Sequence, residues 1–439
     1  MQFIEQVSER FRNHTATIAI LGLGYAGLPL ACSFAEAGFH VIGLDIDERK
    51  IEALRRGESY IGHIAAERMM SLVRTGRLTP SADFAQLSNC DAAIICVPTP
   101  LGEGRVPDLQ FVIATARVIR AALHPGQLVV LESTTYPGTT DEVVLPILEE
   151  SGLCVGKDYF LAFSPEREDP ANTAYSTKTI PKVIGGVTAS CQAVAVSAYR
   201  EVVDQVVPVS SARIAEAAKL LENIYRCVNI AMINELHLLF ERMQIDTWEV
   251  IRAATTKPFG FTPFYPGPGF GGHCIPIDPF YLSWKARQYD FPTRFIELAG
   301  EVNTSMPAHV VDRVVSGLNL HGKAVKSAGV LLIGVAYKPD VDDVRESPAL
   351  AIIRLLFSKL ARVSYHDPFV PLLRSRHLQC EMASVQLTPE VIKSADAVVI
   401  VTNHRKIDYK LIAEHASLII DTRNATAEFR KQRGDIIQL

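Results

Sequence analysis

The chain has 439 residues, of which 48% are hydrophobic and 21% charged. That is a globular balance on a length suited to two or three domains, which excludes a disordered chain or one ordinary domain. The net charge of −4 excludes a global basic field for nucleic acid or membrane, and leaves an anionic small molecule to local cations.

The start, MQFIEQVSERFRNH, carries charges where a signal peptide needs an apolar run. No apolar stretch approaches the length of a membrane span. The eight cysteines include no C-x-x-C pair, so a zinc ribbon or redox dithiol is not expected. Cys96 and Cys227 lie in apolar runs and read as small buried hydrophobes. These features predict a soluble cytoplasmic protein with reduced thiols.

TATIAILGLGYAGLPLACSFAEAGFHVIGLDID (15–47) reads as strand, glycine turn, helix and second strand. Further strands are predicted at 92–97, 127–132 and 159–163, with helical stretches between. Strands alternating with helices predict a parallel, doubly wound sheet, and this unit ends near 208. Gly22-x-Gly24-x-x-Gly27 follows the first strand and opens the helix. Such glycines allow a tight turn and a pyrophosphate close to a helix N-terminus. Asp45 ends the second strand, where a ribose-binding acid belongs and where a 2′-phosphate would be repelled. The pattern predicts NAD; the bland alternative is a glycine turn that only packs helix on strand.

A long helical pattern runs from Ser211 to about Gln244, with apolar residues at Ile214, Ala218, Leu221, Ile224, Tyr225, Val228 and Met232. It suits a spine between two sheets and a homodimer contact. Lys219 and Asn223 share one face of it, as solvated residues or as a polar pair facing a site.

A Pro/Gly-rich loop at 257–279 follows and contains GPGFGGHCIPIDPFYL (267–282). Asp278-Pro279 reads as an N-cap and first helical residue. Cys274 then precedes a helix N-terminus, which favours a thiolate, and Gly271 and Gly272 would leave room for a substrate. An inert core cysteine is the alternative, but glycine, histidine and proline surround it. His273 reads as a contact or packing residue, since no second ligand cluster accompanies it; no metal is expected. Helix continues to about 317, and strands are predicted at 330–337, 361–367, 397–403 and 418–424. The first turn of this second sheet, IGVAYKPD, lacks the full glycine fingerprint. The expected fold is α/β, two Rossmann-like doubly wound domains joined by a long central helix. The domains are 1–208 for NAD, 209–316 central with the cysteine loop, and 317–439 for the second ligand.

In this order the motifs resemble the UDP-glucose/GDP-mannose dehydrogenase family over nearly the whole chain. GLGYAGLPLA (22–31), VPTPL (97–101), ESTTYPGTT (132–140), SPERE (164–168), KLLEN (219–223), GFGGHCIPIDP (269–279) and YKPDVDDVRESP (337–348) carry the resemblance. It implies oxidation of a nucleotide-sugar C6 alcohol to a carboxylate with two NAD consumed. It gives the thiol a purpose: the cysteine adds to the intermediate aldehyde, and the thiohemiacetal is oxidised to a thioester that water hydrolyses.

By the same resemblance Cys274 is the nucleophile, and Lys219 and Asn223 stabilise charge on the C6 oxygen. Asp278 organises a water or proton relay beside Lys219. Glu166 is the general base for hydrolysis, and Thr134 places its water or the cofactor. Gly22, Gly24, Tyr25, Ala26 and Gly27 form the cofactor loop, and Asp45, Lys50, Thr99 and Arg345 match further cofactor contacts. Tyr265, Phe270, Gly271, Tyr337 and Lys338 match substrate contacts, with most of the UDP on the last domain.

The chain departs from the family pattern twice. After S-P-E it continues R-E-D-P, so the second carboxylate falls at Pro170, with Glu168 or Asp169 nearest. Lys257 stands near the place of an arginine that the family draws from a neighbouring subunit. The block 257–286 most resembles the branch acting on UDP-N-acetylglucosamine, to make a precursor of surface polysaccharide. UDP-N-acetylmannosamine is the nearest competitor, followed by UDP-glucose. A two-electron hydroxyacid-type dehydrogenase would need no Cys274. A silent nucleotide-sugar sensor would need none of Lys219, Asn223, Cys274 and Asp278.

Overall fold

The computed structural model describes residues 2–62, 64–168, 175–272, 275–375, 378, 380–432 and 435–439. The chain forms two compact units, Met1–Glu222 with Tyr281–Phe291, and Asn223–Phe280 with Pro292–Leu439.

The first unit is built on β1 (Thr17–Leu21), β2 (His40–Leu44), β3 (Leu78–Ser81), β4 (Ala92–Ile95), β5 (Leu128–Leu131), β6 (Phe160–Phe163), β7 (Lys182–Gly186) and β8 (Val206–Val209). They form one sheet in the order β3-β2-β1-β4-β5-β6-β7-β8. Every neighbouring pair is parallel except β6 and β7. Ile18 and Ile20 enter the core on one face of the sheet, and Ala19 and Leu21 the core on the other. A strand buried on both faces has no polar side, which is why TIAIL is a continuous apolar run. β3 and β8 are the two edges, and each contains a proline, Pro80 and Pro208, which an edge tolerates. Strand order reverses between β1 and β4, and ligands of such sheets bind at that reversal, beyond the carboxyl ends of the strands.

The helix Ala212–Arg242 follows in the chain and is 31 residues long. The division between the two units falls within it, after Glu222.

The second unit contains the helices Thr247–Thr255 and Arg294–Leu320 and a second sheet. Its strands are β9 (Gly329–Ile333), β10 (Arg362–His366), β11 (Leu372–Leu373), β12 (Met382–Ala383), β13 (Ala397–Ile400), β14 (Ile419–Asp421) and β15 (Ile436–Gln438). The order β10-β9-β13-β14-β15 is parallel throughout, and β11 and β12 form a separate antiparallel pair. Val330 and Leu332 face one core, and Leu331 and Ile333 the other. The fold is therefore α/β, with two Rossmann-like sheets joined in the chain by a long helix. Among the described residues no helix is long and apolar enough to cross a membrane.

The two sheets share a local design. Gly22 has φ +95, and a Cβ there would lie 2.6 Å from the Cys96 carbonyl oxygen beyond β4. Gly334 has φ +78, and a Cβ there would lie 2.3 Å from the Thr402 carbonyl oxygen beyond β13. Asp45 after β2 accepts from the Leu23 amide at 2.9 Å, and Asp367 after β10 accepts from the Val335 amide at 2.7 Å. The designs part at the next position, where the first sheet has Gly24 and the second the buried Ala336.

Candidate active site

The glycine loop is closed by its own backbone. A Cβ on Gly27 would sit 1.9 Å from the Gly22 carbonyl oxygen, so only glycine fits. Gly24 is the opposite case: a Cβ there would meet nothing within 4 Å. That open side is the one a pyrophosphate can approach. Tyr25 and Ala26 are half-buried, and no side chain caps the helix Gly27–Glu36 at Ala26. Asp45 accepts from Leu23 N, from Asp47 N at 2.9 Å and from Lys50 Nζ at 2.9 Å. The predicted cofactor residues Asp45 and Lys50 are thus an ion pair beside the loop. Thr99 is buried in the loop after β4, and its carbonyl accepts from the Tyr281 hydroxyl. Ser133 Oγ donates to the Val97 carbonyl at 2.7 Å, tying the loops after β4 and β5 together next to the half-buried Thr134.

The S-P-E segment leaves β6 and meets the long helix. Lys219 is buried, and its Nζ donates to the main-chain carbonyl of Glu166, so it is not a solvated lysine. Glu166 Oε1 accepts from the Glu168 amide at 2.5 Å. Its Oε2 is buried and, among the described residues, has no hydrogen-bond partner. An unsatisfied buried acceptor costs about 1–3 kcal/mol and marks a position to be explained by function. Lys182 Nζ lies 3.7 Å from that oxygen and 2.7 Å from Glu132 Oε2. Burial disfavours the Lys182 ammonium, but Glu132 and Glu166 outweigh it and raise its pKa. Tyr199 donates to Glu132 Oε1 at 2.5 Å. Glu168 accepts from Thr177 Oγ1 at 3.1 Å, and burial together with Glu166 pushes its carboxyl up to about 7. Asp169 and Pro170 lie outside the described residues. Lys182, Glu132 and Tyr199 are not legible as site residues in the sequence; the one signal is a lysine opening the apolar run KVIGG.

In the second unit Asn223 Nδ2 donates to Asp278 Oδ2 at 2.6 Å, and both residues are buried. The helix runs Asp278–Ala286, so Asp278 opens it and holds Asn223, one position earlier than the N-cap reading allows. Cys274 and His273, the predicted nucleophile and its neighbour, lie outside the described residues.

The glycines before them are packed, not vacant. A Cβ on Gly271 would lie 2.9 Å from both the Glu346 carbonyl oxygen and Tyr337 Cβ. On Gly272, with φ +85, it would lie 2.8 Å from Tyr337 Cε2. The room expected for a substrate there is therefore filled by Tyr337. Gly272 N also donates to the Arg345 carbonyl at 3.0 Å, so the two predicted motifs are joined by backbone. The Arg345 guanidinium, expected on the cofactor, forks onto Asp343, with Nη2 to Oδ2 at 2.7 Å. Phe270 packs against a small cluster of Cys227, Ala231 and Ala299. Tyr265 is half exposed and stacks on Trp248 at 5.3 Å. Lys338 is half-buried beside Tyr337, and the Lys257 ammonium lies 5.0 Å over the Phe259 ring.

Two features here escape sequence reading. Gly267 N donates to Asn234 Oδ1 at 3.0 Å, and Asn234 Nδ2 donates to Asn303 Oδ1 at 2.8 Å, so a buried amide pair anchors the loop. A Cβ on Gly267 would lie 2.5 Å from Arg423 Nη1, which brings a guanidinium from beyond β14 against the same loop.

An open backbone cradle beside a strand-end acid is what a nicotinamide dinucleotide requires, so the first unit is that of a dinucleotide-dependent dehydrogenase. Comparison with known proteins carries this further. Residues 16–203 match the NAD binding domain of the UDP-glucose/GDP-mannose dehydrogenase family, 213–305 its central domain, and 331–428 its UDP binding domain. The chain belongs to that family and is an NAD-dependent oxidoreductase acting on a UDP-sugar. It is 38% identical to the UDP-N-acetyl-D-glucosamine 6-dehydrogenase of Pseudomonas aeruginosa, over 80% of this chain and 83% of that one. It is 34% identical to the UDP-N-acetyl-D-mannosamine dehydrogenase of Pyrococcus horikoshii, over 94% and 96%. A solved structure of a UDP-D-ManNAc dehydrogenase from the same organism superposes with a TM-score of 0.84 at 32% identity, covering 93% of this chain and 96% of the other.

Proposed function

We propose that the chain oxidises C6 of UDP-N-acetylglucosamine to the uronic acid in two steps through Cys274. The observation that carries the reading is the buried Asn223–Asp278 bond, four residues beyond the cysteine, on a helix that also carries the buried Lys219. A nucleotide-sugar sensor would have no use for such buried polar groups four residues from a cysteine in a glycine-rich loop. NAD, when bound, takes a hydride in each oxidation.

The Lys219 ammonium and the Asn223 amide stabilise the C6 oxygen as it loses its proton and as it becomes an oxyanion on thiolate attack. Attack forms the C6–S bond, and the second oxidation leaves a thioester. Glu166 takes a proton from water as the oxygen adds to that carbonyl. The C6–S bond then breaks, and sulfur leaves as thiolate. Thr134 places the water, and Asp278 orients Asn223 and relays protons. Tyr265, Phe270, Gly271, Tyr337 and Lys338 hold the sugar nucleotide, and Gly22 to Gly27, Asp45, Lys50, Thr99 and Arg345 hold the dinucleotide. In this reading residues 1–208 bind NAD, 209–316 carry the thiol, and 317–439 bind UDP.

UDP-N-acetylmannosamine is the second reading, supported by the Pyrococcus relative. The long helix leaves Leu221, Tyr225, Met232 and Leu239 exposed at helical spacing, which supports a homodimer through that face. A monomeric mass by light scattering would rule the dimer out.

The deciding experiment counts NADH per limiting sugar with wild type and Cys274→Ser. Two NADH per UDP-N-acetylglucosamine, with a crippled variant, is the expected result. One NADH, unaffected by the variant, would leave a two-electron dehydrogenase. No NADH with this sugar but two with UDP-N-acetylmannosamine would move the substrate to its C2 epimer.

A further inference from the structure

Three buried groups and the half-buried Glu166, from four separate segments, meet behind the S-P-E loop. Lys182 opens β7, Glu132 follows β5, Tyr199 ends the helix Ala189–Tyr199, and Glu166 follows β6. The Lys182 and Glu132 side chains are 5% and 1% exposed, too little for a surface ion pair. Lys182 Nζ donates to Glu132 at 2.7 Å, and its distance to Glu166 Oε2, 3.7 Å, is ionic contact beyond hydrogen-bond reach. Tyr199 takes the other Glu132 oxygen. Glu132 is thus held on both oxygens, while Glu166 is held on one, by the Glu168 amide.

Fold alone does not call for this. A lysine at the start of a buried strand is expensive, and an apolar residue there would serve the core as well. What the ammonium does provide is positive charge beside a carboxylate whose second oxygen is left without a donor. A base that takes a proton from water needs that combination, an ionised carboxylate with an acceptor site unused.

We propose that Lys182 is a positioning residue for thioester hydrolysis, its ammonium fixed by Glu132 and Tyr199 so that the Glu166 carboxyl is held in place with the acceptor site on Oε2 unused. The proposal rests on the reading of Glu166 as the hydrolytic base. In the step it serves, water oxygen bonds to the thioester carbon, water's proton goes to Glu166, and the carbon–sulfur bond breaks to release the Cys274 thiolate. Lys182 exchanges no proton in this step and acts only through Glu166.

The test is a quenched single turnover with UDP-N-acetylglucosamine and excess NAD, read by intact-protein mass and by NADH released. Glu166→Gln is expected to release both equivalents of NADH and to retain a sugar adduct at Cys274; no adduct there would sink the Glu166 reading itself. Given that adduct, Lys182→Gln should accumulate the same species, with kcat down about 10- to 100-fold, and Lys182→Arg should recover to within about fivefold of wild type. Lys182→Gln without adduct, or Lys182→Arg no better than Lys182→Gln, would overturn the proposal while leaving Glu166 as the base. If Lys182→Gln does not fold, Tyr199→Phe decides. It keeps the ammonium but frees one Glu132 oxygen to draw it away from Glu166, so adduct is expected and its absence overturns the proposal.

Discussion

The Asn223 amide donates to the Asp278 carboxylate at 2.6 Å, and neither residue reaches solvent. One comes from the long helix and the other opens the helix that follows the cysteine loop. Their bond therefore sets the rotamer of an amide in the stretch that carries Lys219. Asp278→Asn keeps the shape and removes the charge. The expected outcome, under the proposed role of Asp278 in the transition state, is a fall in kcat of about 10²–10³-fold with KM for the sugar within about threefold. Equal losses in kcat/KM through KM alone would place Asp278 in ground-state binding instead.

The three fingerprint glycines separate folding from cofactor binding. Gly27→Ala drives a Cβ to 1.9 Å from a backbone oxygen, and the loop has to open. A loss of about 2–4 kcal/mol by urea unfolding is expected. Gly24→Ala meets no protein atom within 4 Å, so stability should stay within about 0.5 kcal/mol while KM for NAD rises at least about tenfold. A Gly24→Ala enzyme with ordinary NAD kinetics would mean that the dinucleotide does not approach this face.

Asp45 ends β2 with its carboxylate on the Leu23 amide and Lys50. Asp45→Ser removes the charge that would repel a 2′-phosphate and leaves Lys50 to attract one. The ratio of kcat/KM for NAD over NADP should fall by about 10²-fold, read in parallel steady-state assays. An unchanged ratio would remove Asp45 from the ribose.

Glu216 is fully buried on the long helix and accepts from Thr140 Oγ1 at 2.7 Å, Gly138 N at 2.6 Å and Thr140 N at 2.9 Å. Burial pushes its carboxyl up to about 7, against the pull of those three donors. A raised carboxyl pKa means that the folded state binds the proton more tightly. Its contribution is therefore full in acid, below about 4.3, and is lost as pH rises through about 7. Glu216→Gln cannot be deprotonated, so its stability deficit against wild type should shrink by roughly 3 kcal/mol between those limits. Urea midpoints across that range measure it, and two parallel curves would contradict it.

His237 gives the opposite slope. It is buried, with Nδ1 2.8 Å from Thr247 Oγ1, and burial lowers its pKa to about 4. The neutral form belongs to the fold, so its contribution is present above about 6.5 and lost as pH falls toward 4. His237→Gln should weaken acid unfolding between those values; an unchanged acid limb would assign that limb to other groups.

Sequence by itself determined what depends on neighbours in the chain. The glycine turn, the helix it opens and the acid ending the next strand lie within 15–47, and local sterics dictate their arrangement. Asn223 and Lys219 could be placed on one helix face by counting. The short edge strand β3, and β7 with its lysine, carry no such periodicity and escape reading; their pairing is decided by the sheet beside them. The same holds for the site. Gly271 and Gly272 look like open space in the sequence, but Tyr337, some 65 residues on, fills it. Lys182 meets Glu132 and Tyr199 only because three strand and helix ends converge, and the carboxylates brought there hold its charge against burial. A local motif can state which chemistry is needed, but charge state, partner and free lone pair depend on desolvation, and only tertiary structure determines what is removed from water.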